Sequence, residues 1–129
     1  MGKIRFARNT RRFAEVVHAP CVYAVELSNG IVKVGASSSA RGRMMSLQAQ
    51  VKRAYRAELG RFFIMPRATV KAAYEFETLA VHRLEQLAEP IPGRREFFAG
   101  IGFDEAVRVL RSVARATRSL PKIQHKARV

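Results

Sequence analysis

Residues 21–35, CVYAVELSNGIVKVG, place Asn29-Gly30 between two runs rich in valine and isoleucine. A tight primed turn needs positive φ angles, which asparagine and glycine tolerate, so the stretch predicts an antiparallel hairpin with strands at 21–27 and 31–35. Much of the remaining chain must then supply the cover for a sheet that starts there. Ser37, Ser38 and Ser39 offer N-caps for a helix with Met44, Leu47, Val51, Ala54 and Tyr55 at helical spacing, Gly42 slightly weakening its first turn. After Gly60, the run RFFIMP at 61–66 predicts a third, buried strand ended by Pro66. A long helix is expected from about Ala68 to Ala88, broken by Pro90 and Pro92. The last helix, capped by Asp104, has one apolar stripe of Phe103, Ala106, Val107, Leu110, Val113 and Ala114. A short helix over 10–18, capped by Thr10, precedes them.

Strand and helix signals in this mixed order predict an α/β (α+β) domain: a small three-stranded sheet beginning with the antiparallel hairpin, flanked by helices. At 129 residues the chain suits one domain rather than two, expected over 21–116. A basic N-terminal extension, 1–20, would precede it and a basic tail, 117–129, would follow, with Pro121 marking where the tail begins.

Charge is the next constraint. The formal net charge is +14, and it is concentrated at the two ends: residues 1–14 and 106–129 contain no acid, whereas 15–105 hold 12 basic and 10 acidic side chains. Basic flanks on a balanced centre attract a polyanion by counterion release, without regard to its sequence. Arg108, Arg111, Arg115 and Arg118 fall on one side of the last helix and make a ridge that can follow phosphates. Arg8, Arg11, Arg12 and Arg41 join them as candidate nucleic-acid contacts. No apolar run approaches a membrane span, and the basic start lacks the long apolar stretch of a secretory signal. The single Cys21 suits a cytoplasmic setting. Zinc-ligand spacing, a phosphate-cradling glycine loop and a serine nucleophile motif are all missing from the sequence.

Three polar residues stand at unexpected places. Glu77 falls within the helical stripe Val70, Ala73, Ala80, Val81, Leu84 and Leu87. A buried carboxylate must be protonated, paired or metal-bound. An ion pair with Arg43 would satisfy it, as would a core face built instead on Phe76 and Leu79, leaving Glu77 at the margin. Tyr23 and Lys33 belong to the hairpin and share one end of it; each has an ordinary reading, as a strand tyrosine and as an edge-guarding lysine.

Taken in order, Val22-Tyr23-Ala24, the tight turn, Lys33-Val34-Gly35, Arg43 on the following helix, a third strand and Glu77 on the next helix resemble the GIY-YIG nuclease superfamily. The stretch FETLAVHRLEQL through GRREFF, residues 76–98, is similar to the phage-type branch of that superfamily, and the resemblance spans about 21–112. It implies a phosphodiester hydrolase in which Tyr23 lies near the attacking water and is the candidate general base, Arg43 holds the scissile phosphate, and Glu77 anchors one divalent ion, Mg2+ or Mn2+. Lys33 and Arg43 would favour the Tyr23 phenolate. Lys33 stands where the second motif has tyrosine, as in some members, and would help activate water. Glu77 and His82 are five apart, where the branch has an acid and a histidine four apart. His82 is therefore read as structural, and Glu96 as a supporting or structural acid without the metal. The expected function is a metal-dependent endonuclease acting on nucleic acid, DNA ahead of RNA. The alternative is a non-catalytic nucleic-acid-binding module on a GIY-YIG-like fold.

Overall fold

The computed structural model describes residues 5–6, 18–91 and 94–118. Arg8, Arg11, Arg12, most of the helix expected over 10–18, and the tail from 119 onward lie outside the described residues. In chain order the elements are β1 (Arg5–Phe6), β2 (Cys21–Leu27), β3 (Val32–Ser37), α1 (Ala40–Tyr55), β4 (Leu59–Pro66), α2 (Val70–Glu85), β5 (Glu89–Ile91), β6 (Arg94–Ala99) and α3 (Phe103–Arg118).

The α+β class holds, but the sheet is larger than the expected three strands. Among the described residues it has six strands, in the order β1-β4-β2-β3-β6-β5. Five are joined antiparallel; the two-residue β1, from the expected basic extension, lies parallel to β4 at one edge. The stretch read as a break at Pro90 followed by a turn is instead the β5–β6 pair. Pro90 is accommodated because β5 is the outermost strand, where a missing N–H need not interrupt a ladder. Gly60, expected as punctuation, lies inside β4.

The β2–β3 hairpin forms where expected, with Tyr23 opposite Gly35 and Val25 opposite Lys33. Its connection is looser than a two-residue primed turn. Only Gly30 of the Asn29-Gly30 pair has positive φ, at 90°. Asn29 instead uses its side-chain oxygen to accept the Ile31 N–H at 3.1 Å, so the second strand starts at Val32.

Helices cover both faces. Tyr23, Val25, Phe62, Ile64 and Phe97 pack against Ala40, Met44, Leu47 and Val51 of α1. Val22, Ala24, Val34, Phe63 and Met65 point the other way, toward α2 and α3. A sheet buried on both sides explains why its strands read as near-continuous apolar runs. Thr69 caps α2 by accepting the Ala72 N–H at 3.0 Å. α3 begins at Phe103, two residues earlier than an Asp104 cap would require. Asp104 lies in its first turn and accepts a hydrogen bond from Arg61 at 3.0 Å.

The core face of α2 is built on Phe76, with Ala73, Ala80, Val81 and Leu84; Val70, Leu79 and Leu87 are exposed, and Glu77 sits half-buried at the margin. On the same side of the sheet three guanidinium groups lie over aromatic rings: Arg61 over Phe103, Arg67 over Phe76 and Arg111 over Phe63, at 4.7, 5.0 and 5.3 Å from the ring centres. Among the described residues no helix is long and apolar enough to cross a membrane.

Leu47 is 0% exposed and anchors α1, whereas its neighbour Met45 is 67% exposed. Leu47→Ala should therefore cost about 2–5 kcal/mol of stability, and Met45→Ala less than about 0.5 kcal/mol. Urea melts of the two variants check the contrast.

Candidate active site

The register of the hairpin creates the first piece of the site. Tyr23 and Gly35 face each other on the α1 side, and a Cβ at Gly35 would lie 2.5 Å from the Tyr23 hydroxyl oxygen. Glycine there leaves the room that the phenol occupies. The Tyr23 ring stacks on Phe62 at 5.3 Å, which fixes its plane. Directly after β3, Ser37 accepts the Ser39 N–H at 3.1 Å and donates its hydroxyl to the Ser39 carbonyl at 2.9 Å, turning the chain into α1. That turn brings Arg43 back over the sheet, where its Nε donates to the Tyr23 hydroxyl at 2.9 Å.

Across from this pair, α2 supplies Tyr74 and Glu77, and β6 supplies Glu96. With Tyr23, Arg43, Gly35 and the Ala36–Ser38 segment they line one cleft of about 340 Å³. A smaller hollow of about 150 Å³, bounded by Glu77, Thr78, Val81 and Glu96, adjoins it. The two carboxyl groups stand where the hollows meet.

Of the four residues expected to converge, Tyr23, Arg43 and Glu77 line the cleft. Lys33 does not. It is 1% exposed, its Nζ donating to Glu96 Oε1 at 2.5 Å and lying 4.9 Å from the centre of the Phe97 ring. Neither an edge guard nor a direct contact to the cleft, it reaches the site through Glu96. The ion pair considered for Glu77 and Arg43 is not formed either; the hydrogen bond of Arg43 goes to Tyr23.

The electrostatics follow from burial. Burial raises the Tyr23 phenol to about 12, outweighing the opposing effect of Arg43, and Glu96 and Glu77 add to the rise. Arg43 does favour the phenolate, as expected, but burial outweighs it, and Lys33, bonded to Glu96, is not among the groups that shift Tyr23. Burial also works against the Arg43 guanidinium, but its hydrogen bond to Tyr23 holds it above its ordinary value.

Burial, with a hydrogen bond that its protonated form donates to Glu96 and with that group's charge, raises the Glu77 carboxyl to about 7. Glu96 is held low: burial pushes it up, but the hydrogen bonds from Glu77 and Lys33 pull it down further. The lysine itself is lowered by burial, with Glu96 opposing. The two acids are thus driven apart, Glu77 upward and Glu96 downward, with Lys33 bonded to Glu96.

Two carboxyl groups that line the same hollows and influence each other's ionisation could hold a hard divalent cation, which would relieve the repulsion between them. Among the described residues no three histidine, cysteine, aspartate or glutamate side chains gather for a metal, and exposed His82 lies outside both hollows. Any ion held by Glu77 and Glu96 would depend on water or substrate oxygens for its remaining ligands.

Sequence reasoning gave Glu96 only as a supporting or structural acid, and did not name Tyr74. Tyr74 carried a usable signal, since it precedes Glu77 by three residues on one helix and shares its side. Elsewhere, Arg41, Arg108 and Arg115 are exposed, Arg111 is half-buried against Phe63, and Arg118 ends α3. Arg41, Arg108, Arg111 and Arg115 are not among the residues that line the cleft.

No family model matches this chain, and no curated protein or solved structure matches it.

The raised Glu77 carboxyl has a definite consequence for stability. The unfolded group ionises near 4.5 and the folded one near 7, so below pH 4.5 it favours neither state. As pH rises through that interval the unfolded chain loses its proton first, and folding becomes less favourable. Thermal melts with chelator should show Glu77→Gln gaining on the native protein as pH is raised across the interval. A constant difference would refute the raised Glu77 carboxyl.

Proposed function

We propose that this protein is a metal-dependent phosphodiesterase, an endonuclease of GIY-YIG type acting on nucleic acid, with DNA ahead of RNA. The single observation that carries the reading is the meeting of Tyr23, Arg43 and Glu77, distant in sequence, on one cleft of about 340 Å³. The charge of +14 supplies the attraction to a polyanion.

In this reading Arg43 receives a non-bridging phosphate oxygen on the guanidinium nitrogens not used by Tyr23. Its charge offsets that which builds on the phosphate as the attacking water bonds to phosphorus and the bond to the leaving oxygen breaks. Glu77, with Glu96 beside it, would hold one Mg2+ or Mn2+. When bound, the ion supplies Lewis-acid stabilisation of the phosphate and the leaving oxygen. Tyr23, with a hydroxyl fixed by Arg43, orients the water by donating or accepting a hydrogen bond. With its phenol held protonated by burial, Tyr23 orients the attacking water rather than taking its proton, which passes to solvent in the open cleft. Lys33 acts behind Glu96, as a positioning residue.

The second reading, a nucleic-acid-binding module without catalysis, is favoured by one specific observation: Lys33, at the place of the second-motif tyrosine, is sealed away from the cleft.

Supercoiled plasmid incubated with Mg2+ or Mn2+ separates the two. The native protein should nick it, chelator and Glu77→Ala should each abolish nicking, and Arg43→Ala should slow it by about 10²–10³ while the fold is retained. Metal-independent binding without cleavage would establish the module. Nicking by Glu77→Ala equal to that of the native protein would overturn the assigned site.

A further inference from the structure

Tyr74 is 49% exposed although it lines the same cleft as Arg43 and Glu77. Its core-facing neighbours on α2 are Ala73 and Phe76, so its ring contributes little to the buried face of that helix. Val70, also exposed, precedes it by one turn and extends an apolar strip from the cleft toward the start of α2. An aromatic ring and a branched aliphatic residue thus remain open to water beside a guanidinium able to hold phosphate.

We propose that Tyr74 is a stacking platform for an unpaired nucleobase, so that the substrate is a strand carrying an unstacked base next to the bond held at Arg43. This inference rests on the phosphodiesterase reading for its polarity but makes a separate claim about the substrate. Tyr74 precedes Glu77 by about 4.5 Å along the helix axis, close enough for phosphate and base of adjoining nucleotides to engage both. A base inside a duplex has both faces covered by its neighbours and presents only its edges in the grooves. The face of a tyrosine can serve it only when it is turned out or belongs to a single strand. Such stacking tolerates any base, which suits a chain whose charge also attracts nucleic acid irrespective of sequence. Single-stranded ends, flaps and branch points share this chemistry.

The test is binding of the full chain, in chelator so that no cleavage intervenes, to three DNA probes of one sequence carrying 2-aminopurine. These are a single strand, a fully paired duplex closed at both ends by linkers that carry no bases, with the reporter inside the stem, and a duplex bearing a single-stranded flap. The native protein should quench the reporter in the strand and the flap but not in the stem. Tyr74→Ala should weaken binding to strand and flap by about tenfold, leave the closed duplex unchanged and lose the quenching. Tyr74→Phe should restore both signals.

Equal loss on all three probes, or none, would overturn the proposal, as would quenching that survives in Tyr74→Ala. A strand affected without the flap would narrow the substrate to free ends; the reverse would narrow it to junctions. If the native protein shows the strand preference yet never cleaves with Mg2+ or Mn2+, stacking stands and the hydrolase reading fails. If it cleaves while Tyr74→Ala binds and cleaves like the native protein, the hydrolase reading stands and stacking fails.

Discussion

The contact between the Tyr23 phenol and the bare backbone of Gly35 organises the cleft. It exists because the hairpin register sets a residue without a side chain opposite one with a long ring. The phenol can then lie flat over β3, backed by Phe62, and present its hydroxyl to Arg43. A shift of one residue in the pairing would send Tyr23 to a different partner and exchange the faces of the two strands. The apolar residues on both faces resist that slip: Val22 and Ala24 are needed by α2 and α3, Val25 and Leu27 by α1.

Much of this arrangement was legible in the sequence. Asn29-Gly30 marked the hairpin and put Tyr23 and Lys33 at one end of it. Of the helical stripe expected for α1, Met44, Leu47 and Val51 are buried, whereas Tyr55 is half-buried and Ala54 exposed. The edge of the sheet was less readable. β5 contains Pro90, and β6 begins with two arginines, so neither resembled a strand. Their pairing stabilises what local preference does not. Missing β6 meant missing the position of Glu96, and with it the reason that a lysine can be buried in β3. On α2 the apolar residues occur on several sides, and only the packing decides that Phe76 turns inward while Leu79 and Val70 stay wet.

Lys33 and Glu96 also show how a buried charge changes the chemistry of its neighbours without touching a ligand. An ammonium out of contact with water would be costly alone. Paired with Glu96, it keeps that carboxylate ionised, and the same carboxylate raises Glu77. The two acids therefore differ in protonation although they occupy one site, a difference that originates in a residue on the far side of the sheet from α2.

On α3, the guanidinium of Arg111 rests on the Phe63 ring. A flexible cationic chain usually surrenders rotational freedom when it grips a partner, and that loss detracts from affinity. The aromatic support has already restricted Arg111, so its charge is carried by a half-rigid arm. An anion that met this helix would find Arg111 already arranged, whereas exposed Arg108 and Arg115 would have to be ordered around it.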